Sequence, residues 1–371
     1  MSASPSLLMM AIGFVLVLGP LVVVHELGHY LVGRWFGIKA DAFSVGFGKE
    51  LAGYTDRRGT RWKLSALPLG GYVQFAGDMN PASAPAAERD GLTPAERAQT
   101  FHAKPLWQRA LVVGAGPVTN LICAVAIFAA FNFAYGRIVA VPVVQQFSEA
   151  SPAEAAGLRI GDRIIAVNGN AIENFNEIPE HVVPYPGRTV SVSVKRGEQT
   201  LVFPVEIGST VEQDRFGNEA RIGRIGIAGG GGEVVPVGAV EAVTLGVDQS
   251  IGVIRMMVAG IGQIFTGERS VKELGGPIKI AKYSGEQLSL GWAQFVGFAA
   301  LISINLAFIN ILPIPGLDGG HLAFYAAEAV RRKPLGLRSQ EWAVRTGIAL
   351  VLALMLVVTF NDIVSLPIFG G

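Results

Sequence analysis

The sequence predicts a polytopic α-helical membrane protein with an inserted β-rich domain. Of its 371 residues, 50% are hydrophobic and only 16% charged, and the mean hydropathy is +0.44, which is more apolar than an ordinary soluble domain. Four segments approach the roughly 20 apolar residues that a membrane-spanning helix needs. They are residues 6–32, 110–134, 293–312 and 346–366. The second and third are separated by a stretch of alternating β-branched and polar residues with recurrent turns, typical of β-structure.

Net charge and cysteine content narrow the function classes. The formal net charge of +1 gives no reason to expect a nucleic-acid partner. The single cysteine, Cys123, cannot form an internal disulfide and lies in an apolar run, where a small buried thiol is expected.

Basic residues in the short loops predict the orientation. The first span has no basic segment before it and no cleavage site after it, so we expect it to be retained rather than removed as a signal peptide. No Lys or Arg precedes Arg34, whereas residues 34–109 hold eleven and residues 323–345 hold five. Short cytoplasmic loops are enriched in Lys and Arg. Both loops are therefore predicted to be cytoplasmic, with the termini and the long middle segment outside.

We divide the chain into four regions. Residues 1–135 hold two spans and a cytoplasmic loop, and residues 136–228 form the β-rich domain. Residues 229–292 begin with a glycine hinge and continue as a segment too polar for a confident span, for which an interfacial amphipathic helix fits better. Residues 293–371 hold the third and fourth spans.

The β-rich domain has a distinctive core, "SPAEAAGLRIGDRIIAVNGNAIENF", residues 151–175. Ser151 with Glu154 predicts a capping box for a short helix that Gly157 ends. Residues 162–167 then predict a strand, and residues 168–169, Asn-Gly, a tight turn.

This core resembles a PDZ domain, with its Gly-Leu-x-x-Gly-Asp-x-Ile strand and Asn-Gly turn. The resemblance implies that peptide or substrate C-termini bind along a sheet edge, with residues 223–227 as the carboxylate-binding loop. A spacer or lid that binds no peptide is the alternative.

The motif "HELGH" places His25, Glu26 and His29 at the end of the apolar run 7–24. Residues four apart share a helix face, so both imidazoles can bind one ion. Glu26 is displaced by about 100° and can reach a metal-bound water without becoming a ligand, which is the His-Glu-x-x-His arrangement of zinc peptidases. Ionisable groups at membrane depth are costly and usually functional. A satisfied polar patch in a helix bundle is the alternative reading.

Catalytic zinc usually takes a third protein ligand, and Asp318 in "NILPIPGLDGGHL", residues 310–322, is the best choice because it is an anion. Pro313 and Pro315 must disrupt the helix there, and broken backbone at membrane depth lines a cavity or is buried in protein. His321, three residues further on, is the competing ligand, or it supports a ligand without binding the metal itself. The other two histidines, at 102 and 181, lie in polar segments.

"HELGH", the PDZ-like domain and "NILPIPGLDGGH" together resemble the site-2 protease family of intramembrane zinc metalloproteases, and within it the bacterial regulators of sigma-E. The resemblance covers essentially the whole chain. It implies that His25, His29 and Asp318 bind Zn²⁺, that Glu26 is the catalytic acid/base, and that Asn310 lies near the substrate.

Other stretches resemble family segments with less specificity. "LPLGGYVQFAGD", residues 67–78, is similar to the hairpin that dips toward the active site, which implies that an extended substrate lies along Gly70, Gly71, Tyr72 and Val73. "GAGPVTN" and "LGGPIKIAK", residues 114–120 and 274–282, also match. The chain has room for about one PDZ domain, where some relatives have two, so a filter that needs a pair is in doubt.

The resemblance implies regulated intramembrane proteolysis in the bacterial inner membrane. Its substrates would be single-span membrane proteins such as anti-sigma factors, or remnant signal peptides, cut within the lipid bilayer. Two other classes stay open: a membrane scaffold that displays a PDZ domain, and a metal transporter that uses intramembrane His and Asp residues.

Overall fold

The fold comes from a computed structural model, which describes residues 5–77, 93–213, 219–229, 231–267, 275–333 and 336–364. The helices are α1 (Leu7–Trp35), α2 (Pro94–Ala98), α3 (Leu106–Tyr135), α4 (Pro152–Ala155), α5 (Ile178–Val182), α6 (Ala239–Thr266), α7 (Pro277–Leu290), α8 (Trp292–Ile311), α9 (Asp318–Arg331) and α10 (Leu337–Val364). The strands are β1 (Ala40–Thr55), β2 (Arg61–Phe75), β3 (Arg137–Val139), β4 (Gln146–Phe147), β5 (Arg163–Val167), β6 (Asn170–Ala171), β7 (Thr189–Arg196), β8 (Gln199–Glu206), β9 (Gly208–Gln213), β10 (Glu219–Arg224), β11 (Ile227–Ala228) and β12 (Glu233–Val235).

The chain forms two compact units. The first comprises Met1–Ile127 and Gly276–Thr359, and the second comprises Phe128–Gly275 and Phe360–Gly371. Each unit has its own buried core.

Helix α1 is central to the first unit. Its 29 residues correspond to about 43 Å of helix, enough to cross a bilayer. It packs closely against α7, because a Cβ on Gly13 would lie 2.7 Å from the carbonyl carbon of Ser284. Membrane helices commonly associate through such small residues.

A folded-back sheet adjoins α1. Strands β1 and β2 both bend, so that residues 42–45 pair with residues 71–74 on one side and with residues 61–64 on the other. Among the described residues no strand pairs with the outer edge of residues 71–75. Residues 67–78 therefore do not form the expected hairpin with a Gly70-Gly71 turn: residues 67–75 are the second half of the continuous strand β2 and pair with β1, and Asp78 lies outside the described residues.

The polypeptide between α8 and α9 is not helical, as Pro313 and Pro315 predict. Glycines make the tight turn possible. A Cβ on Gly319 would lie 2.2 Å from the carbonyl oxygen of Ile311, and one on Gly347 of α10 would lie 1.8 Å from that of Pro315. The break therefore packs between the end of α8 and α10, and it delivers Asp318 as the first residue of α9.

The second unit contains the β-rich domain, with a four-stranded sheet in the order β6-β5-β7-β8. The predicted short helix, strand and turn of its core are all present, and of the predicted capping box the structure shows the Ser151 half. The Ser151 hydroxyl accepts a hydrogen bond from the backbone N–H of Glu154 at 3.2 Å. Asn168 and Gly169 both have positive φ, 49° and 79°, as a type I′ turn requires. The buried core beneath the sheet is aliphatic, including Ile164, Val192 and Val205.

The predicted count of four spans is not confirmed. Among the described residues, five helices are long and apolar enough to cross a membrane: Leu7–Trp35, Leu106–Tyr135, Ala239–Ile264, Trp292–Ile311 and Trp342–Ile363. The additional one belongs to α6, for which the sequence predicts an interfacial position. Residues 365–366 of the predicted fourth span lie outside the described residues.

The structure shows where α6 packs within the second unit. Asn132, near the end of α3, and Gln249 of α6 exchange amide hydrogen bonds of 3.2 and 3.5 Å. A Cβ on Gly252, one turn further along α6, would lie 3.2 Å from a carboxylate oxygen of Glu180 in the β-rich domain. An α6 that passes beside the β-rich domain is compatible with an interfacial helix, which stays a prediction.

A buried ion pair stabilises the β-rich domain and provides a test of it. Asp162 is 1% exposed, and its carboxylate accepts hydrogen bonds of 2.7 Å from both Nε and Nη2 of Arg196 and of 2.8 Å from the backbone N–H of Arg159. The Arg196 bonds hold the pKa of the Asp162 carboxyl below its usual 3.8. We expect Arg196→Met to destabilise the domain by about 1–3 kcal/mol, because the carboxylate is left partly unsatisfied.

The measurement is hydrogen exchange of the full chain, read on peptides that cover β5 and β7. Because the folded-state pKa is lowered, the stabilisation is complete above the ordinary pKa and is lost as the pH falls through the folded value. The difference between wild type and Arg196→Met should therefore shrink in acid. Lys195→Met, at an exposed position beside it, is the control, and equal protection in both variants at neutral pH would contradict the expectation.

Candidate metal centre

Three side chains predicted to bind a metal converge in the first unit. Nε2 of His25 lies 3.1 Å from Nε2 of His29, and Oδ2 of Asp318 lies 3.1 Å from the first nitrogen and 3.5 Å from the second. The two histidines come from one face of α1, and Asp318 comes from the start of α9. The structure thus brings together the two motifs that lie almost 300 residues apart in the sequence.

The protonation pattern of His29 leaves a lone pair facing this cluster. Its Nδ1 lies 2.8 Å from the carbonyl oxygen of Val112 in α3. A carbonyl oxygen can only accept, so Nδ1 carries the proton, and in the neutral ring Nε2 then carries a lone pair. That lone pair faces a second imidazole nitrogen and a carboxylate oxygen, and this arrangement is stabilised by a cation.

The donor set fits a tetrahedral metal ion. Bonds of about 2.0–2.2 Å from a tetrahedral zinc ion to nitrogen and oxygen place neighbouring donors roughly 3.3 Å apart, which agrees with the three separations of 3.1 to 3.5 Å. Oδ2 of Asp318 is buried and accepts no hydrogen bond from the described residues. A bond to a metal ion would satisfy a buried carboxylate oxygen in that state.

Glu26 lies beside the three donors and is held by the sheet. Its Oε2 accepts a hydrogen bond of 3.1 Å from the backbone N–H of Val73, on the outer edge of β2. Gly71 makes this approach possible, because a Cβ there would lie 2.7 Å from the carbonyl oxygen of Ser44 and 3.3 Å from Cγ of Glu26.

These groups line one cavity of about 470 Å³. The predicted substrate-contacting residues Gly70, Gly71, Tyr72, Val73 and Asn310 all line it, as does His321. His321 is not part of the metal-binding trio found among the described residues. His102 and His181 do not line the cavity.

Sequence reasoning missed the contribution of α3. This helix supplies the Val112 carbonyl behind His29 and the Asn120 amide behind His25. It can lie so close only because it carries glycine, since a Cβ on Gly116 would lie 2.3 Å from Nε2 of His29. On the facing helix, a Cβ on Gly28 would lie 2.6 Å from the carbonyl oxygen of Ala115. The only available signal was the small-residue run in "GAGPVTN".

Comparisons with known proteins show what the chain is similar to. The model of "Peptidase family M50" matches residues 13–354. A protein of Agrobacterium fabrum named "Putative zinc metalloprotease Atu1380" is 45% identical over 95% of each chain. One of Rhizobium meliloti, "Putative zinc metalloprotease R01501", is 44% identical over 94% of this chain and 95% of its own. "Metalloprotease MmpA" of Caulobacter vibrioides is 32% identical over 98% of this chain and 97% of its own.

Solved structures match part of the chain, and one of them is a PDZ domain. It is the PDZ domain of the SdrC-like protein of Listeria monocytogenes, which is 25% identical and covers 24% of this chain and 84% of that one, with a TM-score of 0.19.

Gly116 gives a test of the metal centre that changes no ligand. We expect Gly116→Ala to lower the bound metal per chain at least tenfold, because the added methyl group occupies the space of both imidazoles. Metal analysis of the purified protein measures this. Gly114→Ala, two residues away on α3 where a Cβ meets nothing within 4 Å, is the matched control and should retain the metal. Equal metal content in both variants would contradict the geometry described above.

Proposed function

Since the chain belongs to peptidase family M50, the site-2 proteases, and is a zinc metalloprotease, we propose that His25, His29 and Asp318 hold its zinc ion and that Glu26 is its catalytic acid/base. The observation that carries this proposal is the convergence of the three donor atoms at 3.1–3.5 Å from two distant segments. With five long apolar helices among its described residues and membership of this family, the chain is a multi-pass membrane protein.

The depth of the site along α1 supports cleavage within the bilayer. His25 is 18 residues from the start of α1 and 10 residues from its end, or about 27 Å and 15 Å at 1.5 Å per residue. The basic loops that flank the site-bearing segments are predicted to be cytoplasmic. The site then lies in the cytoplasmic half of the bacterial inner membrane, and the PDZ-like domain lies outside.

Zinc supplies a polarised scissile carbonyl and an activated water. The Glu26 carboxylate, beside the donor cluster, accepts the proton of the attacking water and then gives it to the leaving amine. His25 is buried, so little of its ring is exposed to solvent. Asn310, in the last turn of α8, lines the same cavity and is placed to contact the substrate.

The unpaired edge of β2 gives the substrate a place to bind. A transmembrane helix hides its amides in its own hydrogen bonds, so part of it must unwind before a carbonyl can react. An unpaired strand edge offers replacement bonds to the opened backbone. Residues 70–75 line the cavity along this edge, which favours an extended substrate added as a strand.

The substrates we propose are single-span membrane proteins, of the anti-sigma factor class or remnant signal peptides. Peptide or substrate C-termini would bind the PDZ-like domain, near residues 223–227. This finer assignment rests on the sequence resemblance and on the presence of one β-rich domain between the motifs.

Glu26→Gln separates catalysis from metal binding. We expect this variant to keep zinc and to lose cleavage of a model single-span substrate by at least a hundredfold, because the amide cannot take up the proton. His25→Ala, His29→Ala and Asp318→Asn should instead lose zinc itself. Zinc analysis and cleavage in proteoliposomes are measured on the same preparations.

The outcomes distinguish the alternatives. A wild-type protein without zinc would favour a scaffold, and zinc flux across the proteoliposome membrane would favour a transporter. A Glu26→Gln protein that cuts at the wild-type rate would refute the assigned role of Glu26.

The strand edge has its own test. We expect Val73→Pro to reduce turnover at least tenfold while zinc content changes little, because the proline ring disturbs the backbone of the edge and removes the N–H that holds the Glu26 carboxylate there. Val73→Thr keeps that N–H and a similar shape, so it serves as the control. Wild-type turnover in Val73→Pro would remove the case for strand addition.

A further inference from the structure

Asn120 contacts the His25 ring on the side that faces away from His29 and Asp318. Its side-chain Nδ2 is 3.3 Å from Nδ1 of His25, whereas Nε2 of the same ring faces His29 and Asp318. Asn120 is completely buried, and its amide oxygen has no hydrogen-bond partner among the described residues. A buried amide oxygen without a partner needs an explanation, because buried polar atoms are normally paired.

The role of His25 decides which amide atom must face it. A neutral imidazole that offers the lone pair of Nε2 to a metal carries its proton on Nδ1, so Nδ1 is a donor. A donor needs an acceptor, and an amide nitrogen cannot serve as one. Turning the Asn120 amide by 180° exchanges its oxygen and nitrogen without changing its shape, and it brings the oxygen to the Nδ1–H.

We propose that Asn120 is a positioning residue for the metal centre, whose amide oxygen accepts the Nδ1–H of His25 and so fixes the ring tautomer that presents Nε2 to zinc. The proposal rests on the proposed function of the site. Under this proposal each histidine donates its Nδ1–H to an oxygen acceptor, because the Val112 carbonyl oxygen lies 2.8 Å from Nδ1 of His29. Both acceptors belong to α3, so one helix orients both rings.

The backbone of Asn120 is hydrogen-bonded to a neighbouring helix. The hydroxyl of Ser303, on α8, donates a hydrogen bond of 2.7 Å to the backbone carbonyl of Asn120, and Ser303 is also completely buried. This contact ties α3 to α8 at the level of the metal centre. The backbone that carries the Asn120 amide is therefore bonded to a neighbouring helix.

The experiment measures zinc affinity of the full-length protein by competition with a chelator. We expect Asn120→Leu, which has a similar volume and no acceptor, to weaken zinc binding roughly 10- to 100-fold, the usual effect of losing such a partner. Asn120→Asp supplies only acceptor oxygens at the same place. It should bind zinc within about threefold of the wild type.

A matched control and a second measurement make the result specific. Asn132→Leu removes the other buried asparagine of α3, whose amide pairs with Gln249 rather than with a histidine. This variant should leave zinc affinity unchanged. The absorption spectrum of the cobalt-substituted protein reports ligand geometry. It should change in Asn120→Leu and stay wild-type-like in Asn120→Asp.

Each outcome bears on one proposal. Wild-type zinc affinity in Asn120→Leu would overturn the positioning role, and so would equal losses in Asn120→Leu and Asn120→Asp, which would show a packing effect rather than a missing acceptor. If the wild-type protein itself bound no zinc, the proposed function would fail before the role of Asn120 was tested.

Discussion

The structure depends on one interaction, the meeting of two imidazole nitrogens and a carboxylate oxygen at 3.1–3.5 Å. Three such groups are costly to bury at membrane depth when they face only each other. A cation shared by the three groups would turn that cost into stabilisation and would fix how α1 and α9 lie. Under the proposed assignment, metal binding and the fold of the first unit are coupled, as is general for metal sites.

Glycine contacts set the distances that this interaction needs. Gly28 and Gly116 let α1 and α3 approach until the imidazoles touch α3, and Gly319 and Gly347 let the broken segment after α8 turn sharply. In a bilayer, moving apolar surface out of lipid contributes little free energy to helix association. Van der Waals contact between closely packed small residues therefore provides much of the stabilisation. The same glycines thus hold the helices together and shape the metal centre.

Local sequence features predicted part of the fold and of the candidate metal centre. His25 and His29 share a helix face by spacing alone, Pro313 and Pro315 end a helix by their own geometry, and Asn168 with Gly169 forms a tight turn. The role of α3 was not predictable, because the Val112 carbonyl and the Asn120 amide act through tertiary contacts that leave no periodic pattern. The same limit applies to β1 and β2, whose bends create the edge beside Glu26, and to α6, whose composition suits both a span and an interfacial helix.

The contact between Glu26 and Val73 brings together the two steps of the proposed reaction, substrate unwinding and bond cleavage. A helical substrate loses backbone hydrogen bonds when it opens, and at membrane depth those losses are severe unless other backbone groups replace them. The outer edge of β2 carries such groups on either side of Val73, whose own N–H donates to the Glu26 carboxylate at 3.1 Å. A strand bound there would place its carbonyls next to the proton acceptor and the metal ligands. Unwinding and bond cleavage would then take place at one position, and the opened segment would not have to travel through lipid between them.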